Sequence, residues 1–164
     1  MRSDAGSTFD GLGEEHRVNS RTEVRHNNGY KGLFAKEDII VDSVVLYMKG
    51  TLSTNPTRYT IQLGRNRHLG FPLDRKTGDD LDYRWQYLNH SCEPSAYVSI
   101  PDLTVRAAGN IRREDAITFN YLTTECDMAE PFACICESAY CFGFIQGRDF
   151  LNADQARRLS LGAW

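Results

Sequence analysis

Along this chain apolar positions come in short groups, broken at close intervals by Gly, Asn, Pro and Asp. That is the rhythm of short strands joined by turns, and helical periodicity is rare. Residues 22–25 predict a small strand, closed by a turn at Asn27-Asn28-Gly29. Gly32-Leu33-Phe34-Ala35 is short and apolar, and residues 39–48, rich in Val and Ile, suit one or two buried strands. Residues 58–63 and 67–71 flank Gly64-Arg65-Asn66 and predict a hairpin. A second hairpin is predicted from residues 96–100 and 103–107 around Pro101-Asp102, and a further strand from residues 117–122. Two helices are expected. One is short, within residues 81–88; the other covers residues 153–161, with Asn152 as N-cap and Gly162 beyond its end. Residues 1 to about 20 show no periodicity and predict a mobile arm. The pattern as a whole predicts a mainly β domain of many short strands.

Composition narrows the class. With 164 residues, 41% apolar and 25% charged, the chain suits one globular domain with its own core. No apolar run approaches the ~18 residues that cross a bilayer, so no membrane partner is expected. The polar start resembles no signal peptide, which predicts an intracellular protein, with cytoplasm and nucleus not separable. Net charge is −3, and beyond Arg112-Arg113 and Arg157-Arg158 there is no basic stripe. Direct nucleic-acid binding is therefore not expected, whereas a basic substrate is allowed.

Five cysteines carry the first chemical signal: Cys92, Cys126, Cys134, Cys136 and Cys141. An odd number excludes a complete set of internal disulfides, and a reducing compartment disfavours them. Cys134-Ile135-Cys136 with Cys141 four residues on places three thiols where they can turn onto one soft cation. Structural zinc takes four ligands, so the spacing leaves a fourth to be found, either Cys92 or Cys126. The competing reading is that these are small buried hydrophobes. His90, in Asn89-His90-Ser91-Cys92, is a rival metal ligand or base, although nothing nearby supplies a nucleophile for it.

Four segments in order then resemble one family. They are Asn28-Gly29-Tyr30-Lys31-Gly32-Leu33-Phe34-Ala35, Asn89-His90-Ser91-Cys92-Glu93-Pro94, Ile117-Thr118-Phe119-Asn120-Tyr121, and the trailing Cys134-Ile135-Cys136 with Cys141-Phe142-Gly143-Phe144. They are similar to the motifs of the SET-domain lysine methyltransferases with a zinc-binding post-SET segment. The resemblance covers about residues 22–146. It implies a SET (β-clip) fold: several small sheets, few short helices, and a pseudoknot-like threaded segment. It divides the chain into an arm (1–21), the SET domain (22–125), a post-SET zinc-binding segment (126–148) and a C-terminal helical tail (149–164). The chain departs from the family pattern at Asn28, Tyr30, Gln86, Ser95, Glu114 and Asn120.

The resemblance also implies the chemistry: S-adenosylmethionine as methyl donor, and a lysine of a protein or peptide as acceptor. A lysine amine has an ordinary pKa near 10.4, so only about one in a few thousand is neutral at pH 7. A narrow apolar channel disfavours the ammonium by desolvation. By resemblance Tyr121 is the catalytic hydroxyl beside that channel. Tyr47 is similar to a second channel tyrosine, and Phe119 occupies the position that sets methyl count, where Phe in place of Tyr permits di- or trimethylation. Gly29, Tyr30, Lys31, Asn89, His90 and Phe142, with Tyr121, are implied to meet the cofactor. Cys92 is implied as fourth ligand of one structural zinc with Cys134, Cys136 and Cys141, leaving Cys126 as a free thiol. Two alternatives stay open: a catalytically weak SET-like peptide-binding module, and a methyltransferase for a free amino acid or small amine.

Overall fold

The computed structural model describes residues 13–27, 29–72 and 80–160. Among the described residues, twelve short strands form four small sheets, joined by turns and short helices. β1 (Thr22–Asn27) and β2 (Tyr30–Ala35) are an antiparallel hairpin turning at Gly29, whose φ of +86° a side chain would strain. β2 pairs with β10 (Ala116–Phe119), and β10 pairs in parallel with the two-residue β7 (Asn89–His90). β3 (Val44–Tyr47), β9 (Thr104–Ala107) and β8 (Ala96–Ser99) make a second sheet. β4 (Thr51–Ser53), β6 (Arg67–Gly70) and β5 (Ile61–Gly64) make a third. β11 (Phe132–Ala133) and β12 (Phe144–Ile145) close the last.

Both expected hairpins are present, each turning on a residue in the left-handed region, Asn66 in one and Leu103 in the other. The apolar run 39–48 forms a single named strand, β3. Ile39 makes only an isolated bridge to Ile111, and Ile40 and Val41 are exposed. The strand expected over 117–122 ends early: Asn120 accepts the Leu122 N–H through Oδ1 and starts a 3-10 turn, Tyr121–Thr123.

The arm expected over residues 1–21 is corrected in its described part. Glu14–Asn19 is a short helix, α1, and Asn19 is fully buried. Its side chain donates to the carbonyls of Tyr47 (3.2 Å) and Leu81 (3.1 Å) and accepts the Tyr47 N–H at 2.7 Å. A single amide thus docks α1 on β3 and on the 3-10 helix Leu81–Tyr87, a long-range anchor that leaves no periodic trace in the sequence. Residues 1–12 lie outside the described residues.

The main core packs Leu33, Val45, Leu46, Leu69, Trp85 and Ile117 between the sheets. A second cluster gathers Cys92, Leu122, Phe142 and Ile145, and Tyr121 packs against both. The last helix, α2 (Ala153–Ser160), begins as expected at Asn152, whose Oδ1 accepts the Gln155 N–H at 2.9 Å while Gln155 Oε1 accepts the Asn152 N–H. Gly162 lies outside the described residues. Leu151 and Leu159 pack α2 against the second cluster.

Candidate active site

The site grows from the middle of the first sheet. Parallel pairing sets Asn89 beside Thr118 and His90 beside Phe119, so β7 and β10 deliver their side chains together. Asn89 Nδ2 donates to the Lys31 carbonyl at 3.0 Å, tying β7 to β2. A side chain at Gly32 would press on that amide. Lys31 Nζ lies 5.4 Å from the centre of the Tyr87 ring. Asn89 of β7 thus reaches the Lys31 backbone of β2, and Gly29 and the exposed Tyr30 lie at the turn just before Lys31.

His90 Nδ1 accepts the Tyr121 backbone N–H at 3.1 Å, and its Nε2 lies 3.2 Å from Cys92 Sγ. Burial lowers His90 to about 4, so the ring is neutral. A neutral ring accepting at Nδ1 carries its proton on Nε2, directed at the Cys92 sulfur. Its role in this geometry is to link Tyr121 with Cys92, and it is not a member of the cysteine cluster.

Tyr121 donates its hydroxyl to the Leu88 carbonyl at 2.7 Å. Burial, reinforced by the Glu125 carboxylate, pushes the phenol well above its usual range, so the hydroxyl stays protonated at any working pH. Its ring centre lies 4.8 Å from that of Phe119 and 5.2 Å from His90. Phe132 completes the aromatic cluster, edge-on to both His90 and Tyr121.

Beside Tyr121 lies a cavity of about 40 Å³, walled by Trp85, Leu88, Phe119, Tyr121, Glu125 and Met128. That is room for about three waters, and so for a slender chain and not for a ring. Trp85 is held by its indole N–H, which donates to the Lys49 carbonyl at 2.9 Å. Arg58 and Glu130 also line the cavity and pair with each other at 3.5 Å. Tyr47, expected beside the channel, does not line this cavity. Its backbone is taken by Asn19, on the β3 sheet.

The sulfurs of Cys92, Cys134, Cys136 and Cys141 all lie within 4.8 Å of one another. Cys92 is 3.8 Å from Cys134 and 3.9 Å from Cys141. A tetrahedron with Zn–S bonds of ~2.3 Å has edges of about 3.8 Å, so the set fits zinc. Burial pushes the Cys92 and Cys134 thiols up, while against the effect of burial the hydrogen bonds from neighbouring backbone and cysteine groups bring Cys136 down to about 7. The Phe142 N–H donates to Cys92 Sγ and the Gly143 N–H to Cys141 Sγ, both at 3.3 Å. These are the backbone contacts that orient thiolate ligands. Cys126 stands outside, 3.0 Å from an Arg148 nitrogen. Gly147, at φ +122°, lets the chain pass the Cys126 carbonyl, where any side chain would collide. Phe142 is buried among the cysteines, its ring 4.7 Å below the Arg158 guanidinium carbon.

Several site groups carry little sequence signal. Leu88 directly precedes Asn89-His90 and Trp85 stands four residues before Asn89, and that proximity is the available clue. Phe132 and Glu125 become site residues only through contacts made in the folded chain.

Residues 30–122 match the family described as SET domain. A methyltransferase of Aspergillus flavus, FlvH, is 38% identical over 74 residues, which is 44% of this chain and 42% of that protein. Among solved structures, KRYPTONITE with mCHG DNA and SAH superposes at TM-score 0.56 and 20% identity, over 75% of this chain and 28% of that one. KRYPTONITE with mCHH DNA, an H3(1-15) peptide and SAH gives TM-score 0.54 at 19% identity, covering 75% and 29%. The chain therefore spans less than half the length of these relatives, and the two structures share its fold.

Proposed function

The chain belongs to the SET-domain family, and on that premise we propose that it is an S-adenosylmethionine-dependent lysine N-methyltransferase acting on a protein or peptide. The observation that carries this is the Tyr121 hydroxyl, fixed on the Leu88 carbonyl beside a narrow, mostly apolar cavity. When bound, S-adenosylmethionine supplies an electrophilic methyl on a sulfonium. Support for it comes from FlvH, described as a methyltransferase, and from the two KRYPTONITE complexes, which hold SAH. Lys31 on β2 and Asn89 and His90 on β7 are the residues proposed to hold it.

The chain's own residues meet three demands of methyl transfer to an amine. The walls formed by Trp85, Leu88, Phe119 and Met128 strip water from an entering side chain, which weakens the ammonium form. The Tyr121 hydroxyl gives its one proton to Leu88, so its lone pairs are left to accept from an amine N–H or a polarised methyl. Fixing these groups holds donor and acceptor in line, the largest saving in a two-reactant step. Phe119, 3% exposed, brings no hydroxyl to the channel, which supports di- or trimethylation. The H3(1-15) peptide seated on KRYPTONITE supports a peptide partner, and the net charge of −3 supports peptide over nucleic acid.

The test is transfer from labelled S-adenosylmethionine to lysine-containing peptides, wild type against Tyr121→Phe. The variant should lose roughly 10²–10³-fold in rate, as when one preorganised hydrogen-bonding group is removed, with zinc content unchanged. Equal rates in the two proteins would remove Tyr121 from the chemistry.

A further inference from the structure

The cavity beside Tyr121 holds an ionisable group that methyl transfer as described leaves unused, the carboxyl of Glu125. Glu125 is 7% exposed, and it lines the cavity with Trp85, Leu88, Phe119 and Tyr121. Its Oε1 accepts the Gln62 backbone N–H at 2.8 Å and the Thr124 hydroxyl at 3.0 Å. The Gln62 side chain in turn accepts the Cys126 N–H at 2.7 Å, so β5 holds the carboxylate in place from both sides. Neither donor to Glu125 is charged.

No ion pair among the described residues includes Glu125. Arg148 acts on it only at a distance. That guanidinium directs its N–H groups at the Thr123 carbonyl (3.4 Å) and at Cys126 Sγ (3.0 Å). Arg58, which also lines the cavity, is paired with Glu130 at 3.5 Å and makes no ion pair with Glu125. A purely structural tie between β5 and the Tyr121–Thr123 turn would need an acceptor but no charge, and Gln would serve. Burial raises the Glu125 pKa above its ordinary value, so the carboxylate form is costly to keep here and a cation entering the cavity would restore it. The missing partner is a cation of a size to enter a cavity of about 40 Å³.

We infer that Glu125 recognises the cationic end of the substrate, and that the cavity selects an alkylammonium over a neutral chain of the same length. This rests on the methyltransferase reading only for the reason an ammonium comes here. The preference for charge is a property of the cavity itself. Capture and proton loss are separate demands: Glu125 serves the first, and the apolar walls serve the second.

n-Butylammonium and 1-butanol, a charged and a neutral mimic of the lysine side chain, test it directly. Each is titrated into the full zinc-loaded chain, with and without S-adenosylhomocysteine, following the fluorescence of Trp85 in the cavity wall. Wild type should bind n-butylammonium at least about tenfold tighter than 1-butanol, the scale of one charge-assisted hydrogen bond. Glu125→Gln should bring the ratio near one, and Glu125→Asp should restore part of it. The urea midpoint of each variant shows that it is folded. A ratio near one in wild type, or one unchanged in Glu125→Gln, overturns the inference. If S-adenosylhomocysteine fails to bind while the ammonium preference holds, the methyltransferase reading falls and the role of Glu125 stands.

Discussion

Replacing Asn19 by Ala should destabilise the domain by about 3 kcal/mol. The side chain is fully buried and makes three hydrogen bonds, to Tyr47 N–H, Tyr47 C=O and Leu81 C=O, at 2.7–3.2 Å. Each contributes about 1 kcal/mol net, and the backbone groups left without a partner keep the total from falling lower. One of the three elements concerned bears on the site: the Leu81–Tyr87 helix carries Trp85 and leads directly to Leu88, whose carbonyl holds the Tyr121 hydroxyl. With a urea slope of ~2 kcal/mol/M, the unfolding midpoint should drop by roughly 1.5 M. Arg17→Ala, on the exposed side of the same short helix, should stay within about 0.5 kcal/mol. If Asn19→Ala and Arg17→Ala melt alike, residues 14–19 are not docked as described, and the mobile-arm expectation regains its ground there.

Other outcomes follow from the same contacts. Metal analysis should find close to one zinc per wild-type chain. Cys136→Ser should lose most of it and lose hydrogen-exchange protection over residues 132–145, while the main core stays protected, because the two clusters share only Tyr121. Phe119→Tyr places a hydroxyl beside Tyr121, and mass spectrometry of the product should shift towards fewer methyl groups. His68 is 5% exposed, and burial lowers its pKa from the ordinary 6.5. The unfolded chain then binds more protons than the folded one just below pH 6.5, so this contribution to stability should fall as pH drops through that point. The His68 ring protons should titrate below 6.5 by NMR.

The parts of the fold that were legible are those set by local rules. The two hairpins follow from Gly, Asn and Pro between apolar runs, and α2 follows from an Asn cap with Gln three residues on. The four cysteines that meet in space are legible too, three by their spacing and the fourth by family resemblance. What stayed hidden depends on distant partners. β7, β11 and β12 are two residues long and carry no period. Asn19 reaches 62 residues to Leu81, and the Gln62 N–H that holds Glu125 is 63 residues away. Tyr47 lies on the β3 sheet and does not line the cavity, whereas Tyr59, Trp85 and Leu88 do. A site assembled from backbone carbonyls and buried charges does not show in residue type alone.

The central claim is that this chain binds a methyl donor next to Tyr121. Calorimetry of the zinc-loaded chain with S-adenosylhomocysteine tests it most directly. The account predicts one site per chain with an affinity on the order of 1–100 μM, within the range usual for enzyme ligands, weakened when Asn89 is replaced by Ala because β7 then loses its tie to Lys31. No heat of binding in wild type, or binding untouched by Asn89→Ala, would contradict it.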